Sequence, residues 1–162
     1  MSTIKEWGLV RIDDRLIHGQ VIAVWVRSRK FTKIVIVDDG VAADAFMVDV
    51  LRLAAPSGLD INAYSLEESL EVLNNDVTPQ FTMVLMKAPL TAQRLYDAGI
   101  TFDALNIGGI GMGPGRKSVF KNTAISKEEY QVLSELRGKG IKITFLSVPG
   151  EKSKDFAAIR KM

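Results

Sequence analysis

Residues 11–20 read Arg-Ile-Asp-Asp-Arg-Leu-Ile-His-Gly-Gln and gather the only histidine of the chain, His18, with Arg11, Arg15, Asp13 and Asp14. An imidazole has an ordinary pKa of about 6.5, so near neutral pH much of it carries an unprotonated, nucleophilic ring nitrogen. Guanidinium groups are permanently charged and hold phosphate oxygens through two parallel hydrogen bonds. These residue types suit phosphoryl transfer, where catalysis is mostly positioning plus electrostatic stabilisation of three charged equatorial oxygens. Arg11 and Arg15 are the expected phosphate donors. Carboxylates aimed at phosphate would oppose binding. Asp13 and Asp14 are therefore expected to orient Arg15 or the imidazole, or to bond backbone amides and stiffen the loop. A direct chemical role stays open for both.

Gly8-Leu9-Val10-Arg11-Ile12 predicts a strand before this cluster, and residues 19–29 predict an apolar helix after it. The charged residues then fall on the loop at the carboxyl end of a first strand, where open α/β sheets bind ligands. His18 and Gly19 open the helix, whose unbonded N–H groups favour an anion. Lys33–Val37, closed by Asp38 and Asp39, reads as a strand buried on both faces of a parallel sheet. Residues 42–54 predict one helix, stopped by Pro56-Ser57-Gly58, and residues 59–64 alternate as a strand. Ser65 with Glu68, and Ser126 with Glu129, have the spacing of capping boxes and predict two further helix starts. Strands are expected over 82–87, 103–108 and 141–148, with a helix over 90–98 behind Pro89. Residues 119–125 predict a short extended piece, and Lys154 to Lys161 a terminal helix. Strand and helix alternate without a linker or repeat. That pattern predicts one α/β domain over 1–162, doubly wound, with a mostly parallel β-sheet of six or seven strands and helices on both faces.

Arg11 to Val21 resembles, without a break, the active-site segment of IIB components of sugar phosphotransferase systems, mannose/fructose/sorbose family, with the N-acetylgalactosamine systems included. The resemblance implies one antiparallel strand in the sheet. It implies a phosphohistidine carrier in which His18 takes a phosphoryl group on Nδ1 from a IIA component. That group then passes to a hexose or amino sugar during uptake through IIC and IID membrane subunits. It further implies a cytoplasmic protein, peripherally associated with its transporter, that can form a homodimer and uses no metal and no cofactor. Related chains carry a comparable glycine-rich turn ending in basic residues, so Arg116 and Lys117 are candidates to meet phosphate or partner. A purely structural turn is the competing expectation.

Asp38 ends the second strand and shares a sheet edge with the active loop. It either reaches that loop to fix arginine or histidine geometry, or simply opens a turn before Gly40. Gly108–Gly115 invites a nucleotide-binding reading, which is the main rival function. The motif fails, because Pro114 stands at the lysine of a P-loop counted from Gly108 and at the last glycine of G-x-G-x-x-G counted from Gly109.

The formal charge of +2 is too small, and the basic residues too dispersed, to argue for nucleic acid. With no cysteine, disulfides and thiolate chemistry are excluded. Residues 1–6 are polar and lack the apolar core of a signal peptide. No apolar run approaches the roughly 20 residues a membrane-spanning helix needs.

Overall fold

A computed structural model describes residues 5–162. The expectation of a polar, leaderless start falls on residues 1–6, of which 1–4 lie outside the described residues. Among the described residues are nine strands and six α-helices, most of them where the hydrophobic pattern places them. The strands are β1 (Leu9–Asp13), β2 (Lys33–Val37), β3 (Asp60–Tyr64), β4 (Thr82–Met86), β5 (Ala104–Gly109), β6 (Arg116–Phe120), β7 (Thr123–Ser126), β8 (Lys142–Phe145) and β9 (Lys154–Asp155). The helices are α1 (Gly19–Ser28), α2 (Asp39–Ala42), α3 (Ala45–Ala54), α4 (Leu66–Asn74), α5 (Pro89–Asp97) and α6 (Lys127–Gly138).

Seven strands form one sheet in the order β3-β2-β4-β1-β5-β8-β9. All its pairings are parallel except β8 with β9, which supplies the expected antiparallel strand. One apolar cluster joins the sheet to α1 and α3 through Ile22, Trp25, Val48 and Leu51. Another joins the opposite face to α4, α5 and α6 through Leu73, Leu95, Leu133 and Leu136. β1 lies at the centre and hands the chain to the first face, whereas its neighbour β4 hands it to the second. In open α/β sheets such a reversal marks the ligand-binding edge, here beside the carboxyl end of β1.

Both capping boxes form, at the starts of α4 and α6. Three expectations need correction. The helix expected over 42–54 is two helices, because Asp44 turns its carboxylate onto the Met47 amide and caps a new start. The extended piece expected over 119–125 is a hairpin, β6 with β7, joined through Lys121 and Asn122. The terminal helix expected over Lys154 to Lys161 is strand β9 followed by a 3-10 turn, Phe156–Ala158, with Asp155 accepting from the Ala157 amide. There Phe156 is buried against Tyr130 and Phe145, so aromatic packing holds the segment.

Candidate active site

The loop from β1 to α1 is short, and Asp13 organises it. Asp13 ends β1 as its last residue rather than lying on the loop, and its side chain is 1% exposed. One carboxylate oxygen, Oδ1, accepts from the Arg15 amide at 3.1 Å and from Arg15 Nε at 2.9 Å. The other, Oδ2, accepts from Arg15 Nη2 at 2.8 Å and from Arg11 Nη2 at 2.9 Å. A single buried anion therefore holds two guanidinium groups.

The two arginines are not equivalent, and this corrects one expectation. Arg11 is fully buried on the α1 face of the sheet, so it has no open path to a phosphate at the surface. Its Nη1 donates to Asn106 Oδ1 at 2.6 Å and to the Leu146 carbonyl, and its guanidinium stacks 5.4 Å from the Trp25 ring. Burial lowers its pKa, while the charge and hydrogen bond of Asp13 oppose that shift. Asn106 stands opposite Arg11 in the β1–β5 register. Two positions on, Gly108 leaves the guanidinium its space: a Cβ there would lie 2.0 Å from Arg11 Nη2.

Arg15, in contrast, keeps 35% of its side chain exposed. Its hydrogen bond with Asp13 raises its pKa against a smaller opposing effect of burial. Nε and Nη2 each donate to Asp13, which fixes the plane of the guanidinium, while Nη1 has no hydrogen bond among the described residues. The backbone adds its own constraint. Leu16 takes a left-handed conformation, φ 57°, while its side chain is buried, and its amide closes a turn onto the Asp13 carbonyl at 2.9 Å. A non-glycine residue held there costs about 1–3 kcal/mol, so packing around the loop must over-determine it.

His18 is exposed and occupies the N-cap position of α1, where its side chain makes no capping bond. Its carbonyl accepts the first helical hydrogen bond, from Ile22. The unbonded amides of the first turn of α1 directly follow His18 in the chain. Gly19 matters for packing, since a Cβ there would lie 2.7 Å from the Ala54 carbonyl at the end of α3.

Asp14 accepts from the Gly111 amide at 2.7 Å and so ties the active loop to the glycine-rich loop. Arg116 braces that same loop: it pairs with Glu129 at 2.9 Å and donates to the Gly111 carbonyl at 2.9 Å. Lys117 lies exposed on β6, in a cleft with Lys127 and Lys154. Asp38 does not reach the active loop. Its carboxylate accepts from the Val41 amide and caps α2, which corrects the expectation that it fixes arginine or histidine geometry. Strand β6, not a helix, follows the glycine-rich loop, so the anion-binding helix start of a nucleotide loop is missing at that position.

The sequence reading did not single out Asn106, Gly108, Trp25 or Leu16 as parts of the site. One signal was available for Arg11: a charged residue between Val10 and Ile12 in a central strand must find a buried partner.

Fold and site together define a mostly parallel α/β fold that presents one exposed histidine on the same loop as a guanidinium clamped by Asp13. Residues 7–162 match the family described as the sorbose subfamily IIB component of the phosphotransferase system. The chain belongs to that family. It is 35% identical over 149 residues to the sorbose-specific EIIB component of Klebsiella pneumoniae, covering 90% of this chain and 89% of that one. It is 31% identical over 137 residues to the mannose-specific EIIAB component of Escherichia coli, covering 84% of this chain and 42% of that longer protein. The crystal structure of the IIBSor domain of the Klebsiella pneumoniae sorbose permease superposes with a TM-score of 0.85 at 34% identity, covering 93% of each chain.

Proposed function

We propose that this IIB component is a phosphohistidine carrier whose acceptor is His18. It takes a phosphoryl group from a IIA component and delivers it to a hexose or amino sugar at the IIC and IID membrane subunits. The observation that carries this reading is the exposed imidazole at the start of α1, in one loop with a guanidinium held rigid by Asp13. A IIA donor is supported by the mannose-specific relative, described as an EIIAB component.

In the first step the lone pair of His18 Nδ1 attacks phosphorus. The bond from phosphorus to the donor atom breaks, and the donor keeps that electron pair. In the second step a sugar hydroxyl oxygen attacks phosphorus. The His18–phosphorus bond breaks, its electron pair returns to the imidazole, and the hydroxyl proton leaves to solvent. Arg15 Nη1 and the amides opening α1 are the donors for the equatorial oxygens. Arg11 acts as a positioning residue: it shares Asp13 with Arg15, so the carboxylate that aims Arg15 is itself held.

Intact-mass measurement tests the reading, after incubation with phosphoenolpyruvate, the general phosphotransferase proteins and the IIA component of the same transporter. The expected result is one added phosphoryl group on the native chain and none on His18→Ala. Thermal unfolding of that variant should match the native protein, because the His18 side chain is exposed and caps nothing. Equal labelling of the two proteins would remove His18 from the reaction.

A further inference from the structure

Cations that lie scattered along the sequence are gathered by the fold into one cleft of about 690 Å³. Lys117 comes from β6, Lys127 from the start of α6, Lys154 from β9, and Arg160 and Lys161 from the segment after the 3-10 turn. No acidic side chain lines the cleft, and none of the five cations forms an ion pair among the described residues. Across the whole chain positive and negative side chains nearly balance, 21 against 19, so the cleft is a local excess of positive charge. Two of the placements work against the fold. Lys127 opens α6, where a cation opposes the helix dipole. Lys154 is half-buried, its ammonium donating to the Val119 carbonyl at 3.4 Å. A cleft lined by one sign of charge focuses its field and concentrates an anion from outside.

The rest of the lining selects among anions. A sugar phosphate needs acceptors for its hydroxyl protons, and no carboxylate or amide side chain is present. A nucleotide base is held by stacking, and no aromatic side chain is present. One free phosphate is best gripped by forked guanidinium groups, whereas four of the five cations are lysines, flexible point charges on separate elements. The remaining side chains are apolar apart from the Ser118 hydroxyl. Ile159 is buried and Val119 and Met162 are half-buried, so they lie deeper than the four exposed cations. What fits is a phosphate carried on an apolar body and repeated over a surface.

We propose that this cleft binds the phosphate headgroups of an anionic phospholipid leaflet. Val119, Ile159 and Met162 meet the apolar body of one lipid, and the exposed cations reach the headgroups around it. Gly115, at the cleft, closes the glycine-rich loop whose Gly111 amide is bonded to Asp14. The contact therefore lies on the flank of the phosphoryl site, and His18 is not among the residues that line it. Lipid binding here is independent of whether His18 accepts a phosphoryl group.

Co-sedimentation with vesicles tests the site. Vesicles of phosphatidylglycerol and phosphatidylcholine in equal parts should bring down the native chain, and pure phosphatidylcholine vesicles should not. Arg160→Gln with Lys161→Gln removes two exposed cations. That pair should raise the lipid concentration for half-binding at least about tenfold, since each cation near an anionic leaflet is worth about fivefold. Lys30→Gln with Lys142→Gln removes the same charge from exposed positions at the amino edge of the sheet and should bind as the native chain does. Lys127→Gln, expected to weaken binding about fivefold, repeats the test should the cleft pair fail to fold. Equal losses in the two double variants would reduce the binding to net charge and overturn the site. A native chain that ignores phosphatidylglycerol, or that binds both vesicles alike, would also overturn it. Release from the vesicles by millimolar inorganic phosphate at constant ionic strength would assign the cleft to a free anion instead. Cleft variants that sediment as the native chain does, yet need more IIA component for phosphoryl uptake, would assign it to an acidic protein partner.

Discussion

Two aspartates are buried at opposite edges of the sheet, and they are neutralised in different ways. Asp13, at the carboxyl edge, is shared by two guanidinium groups, so the cluster keeps a surplus positive charge that emerges through Arg15. Asp76, at the amino edge, has one cation at 3.5 Å, Lys33, and otherwise accepts from the Thr82 hydroxyl and the Thr78 amide. Its side chain is 2% exposed and its charge is closed off. Burial alone would raise the pKa of Asp76, yet Thr82, Thr78 and Lys33 together bring it below the ordinary 3.8. One carboxylate leaves a guanidinium held at the surface. The other only ties strands together.

The widest separation between the two should come from Asp13→Asn. It leaves Arg11 buried without an anionic partner, and breaking a buried pair from one side costs roughly 3–5 kcal/mol. Urea unfolding should register that loss, and phosphoryl uptake should fall with it. A cost below about 1 kcal/mol would mean that Arg11 relaxes to solvent and the contrast with Asp76 is false.

A smaller effect is expected from Asp76→Asn, about 1–3 kcal/mol for disturbing a buried hydrogen-bonded acceptor, with phosphoryl uptake unchanged. Its pH dependence follows from the lowered pKa. The stabilisation is fully present above the ordinary value of 3.8 and is lost as pH falls through the still lower folded value. Urea midpoints of variant and native chain, measured from neutral pH downward, should therefore converge only in acid below 3.8. Convergence near neutrality would place the pKa on the wrong side.

Arg15→Lys should change stability least, by under about 1 kcal/mol, because the pair is partly exposed. Lysine cannot span both oxygens of Asp13 and still present a fixed donor. Phosphoryl uptake should then slow roughly tenfold, a barrier rise of about 1.4 kcal/mol. Single-turnover labelling would measure it, and an unchanged rate would remove Arg15 from the reaction.

The same contrast explains what could be read from sequence. Strands β2 and β4 were legible because buried parallel strands are continuous apolar runs, β3 because its residues alternate, and two helix starts because Ser65 and Ser126 meet a glutamate three residues on. The location of His18 on a loop at a strand end was equally local. The burial of Arg11 was not, since it depends on Asn106 and Gly108 of a strand that pairs with β1 only in the fold. The β6–β7 hairpin escaped for a different reason. Its Lys121-Asn122 connection lacks the usual Asn-Gly signal, and among the described residues only Leu16 and glycines take a positive φ. Asp44 was read into a helix interior because a capping role depends on where the next helix begins.

Arg11 and Gly108 carry a consequence for how such a chain can drift. The guanidinium fills the volume that any side chain at 108 would need. Gly108→Ala alone would evict a buried charge, and Arg11→Ala alone would leave Asn106 Oδ1 without its donor and Asp13 with Arg15 as its remaining cation. Each substitution removes the reason the other residue is kept, so their costs should fall well short of additive in a double-mutant cycle. Two positions far apart in the chain thus behave as a single steric unit.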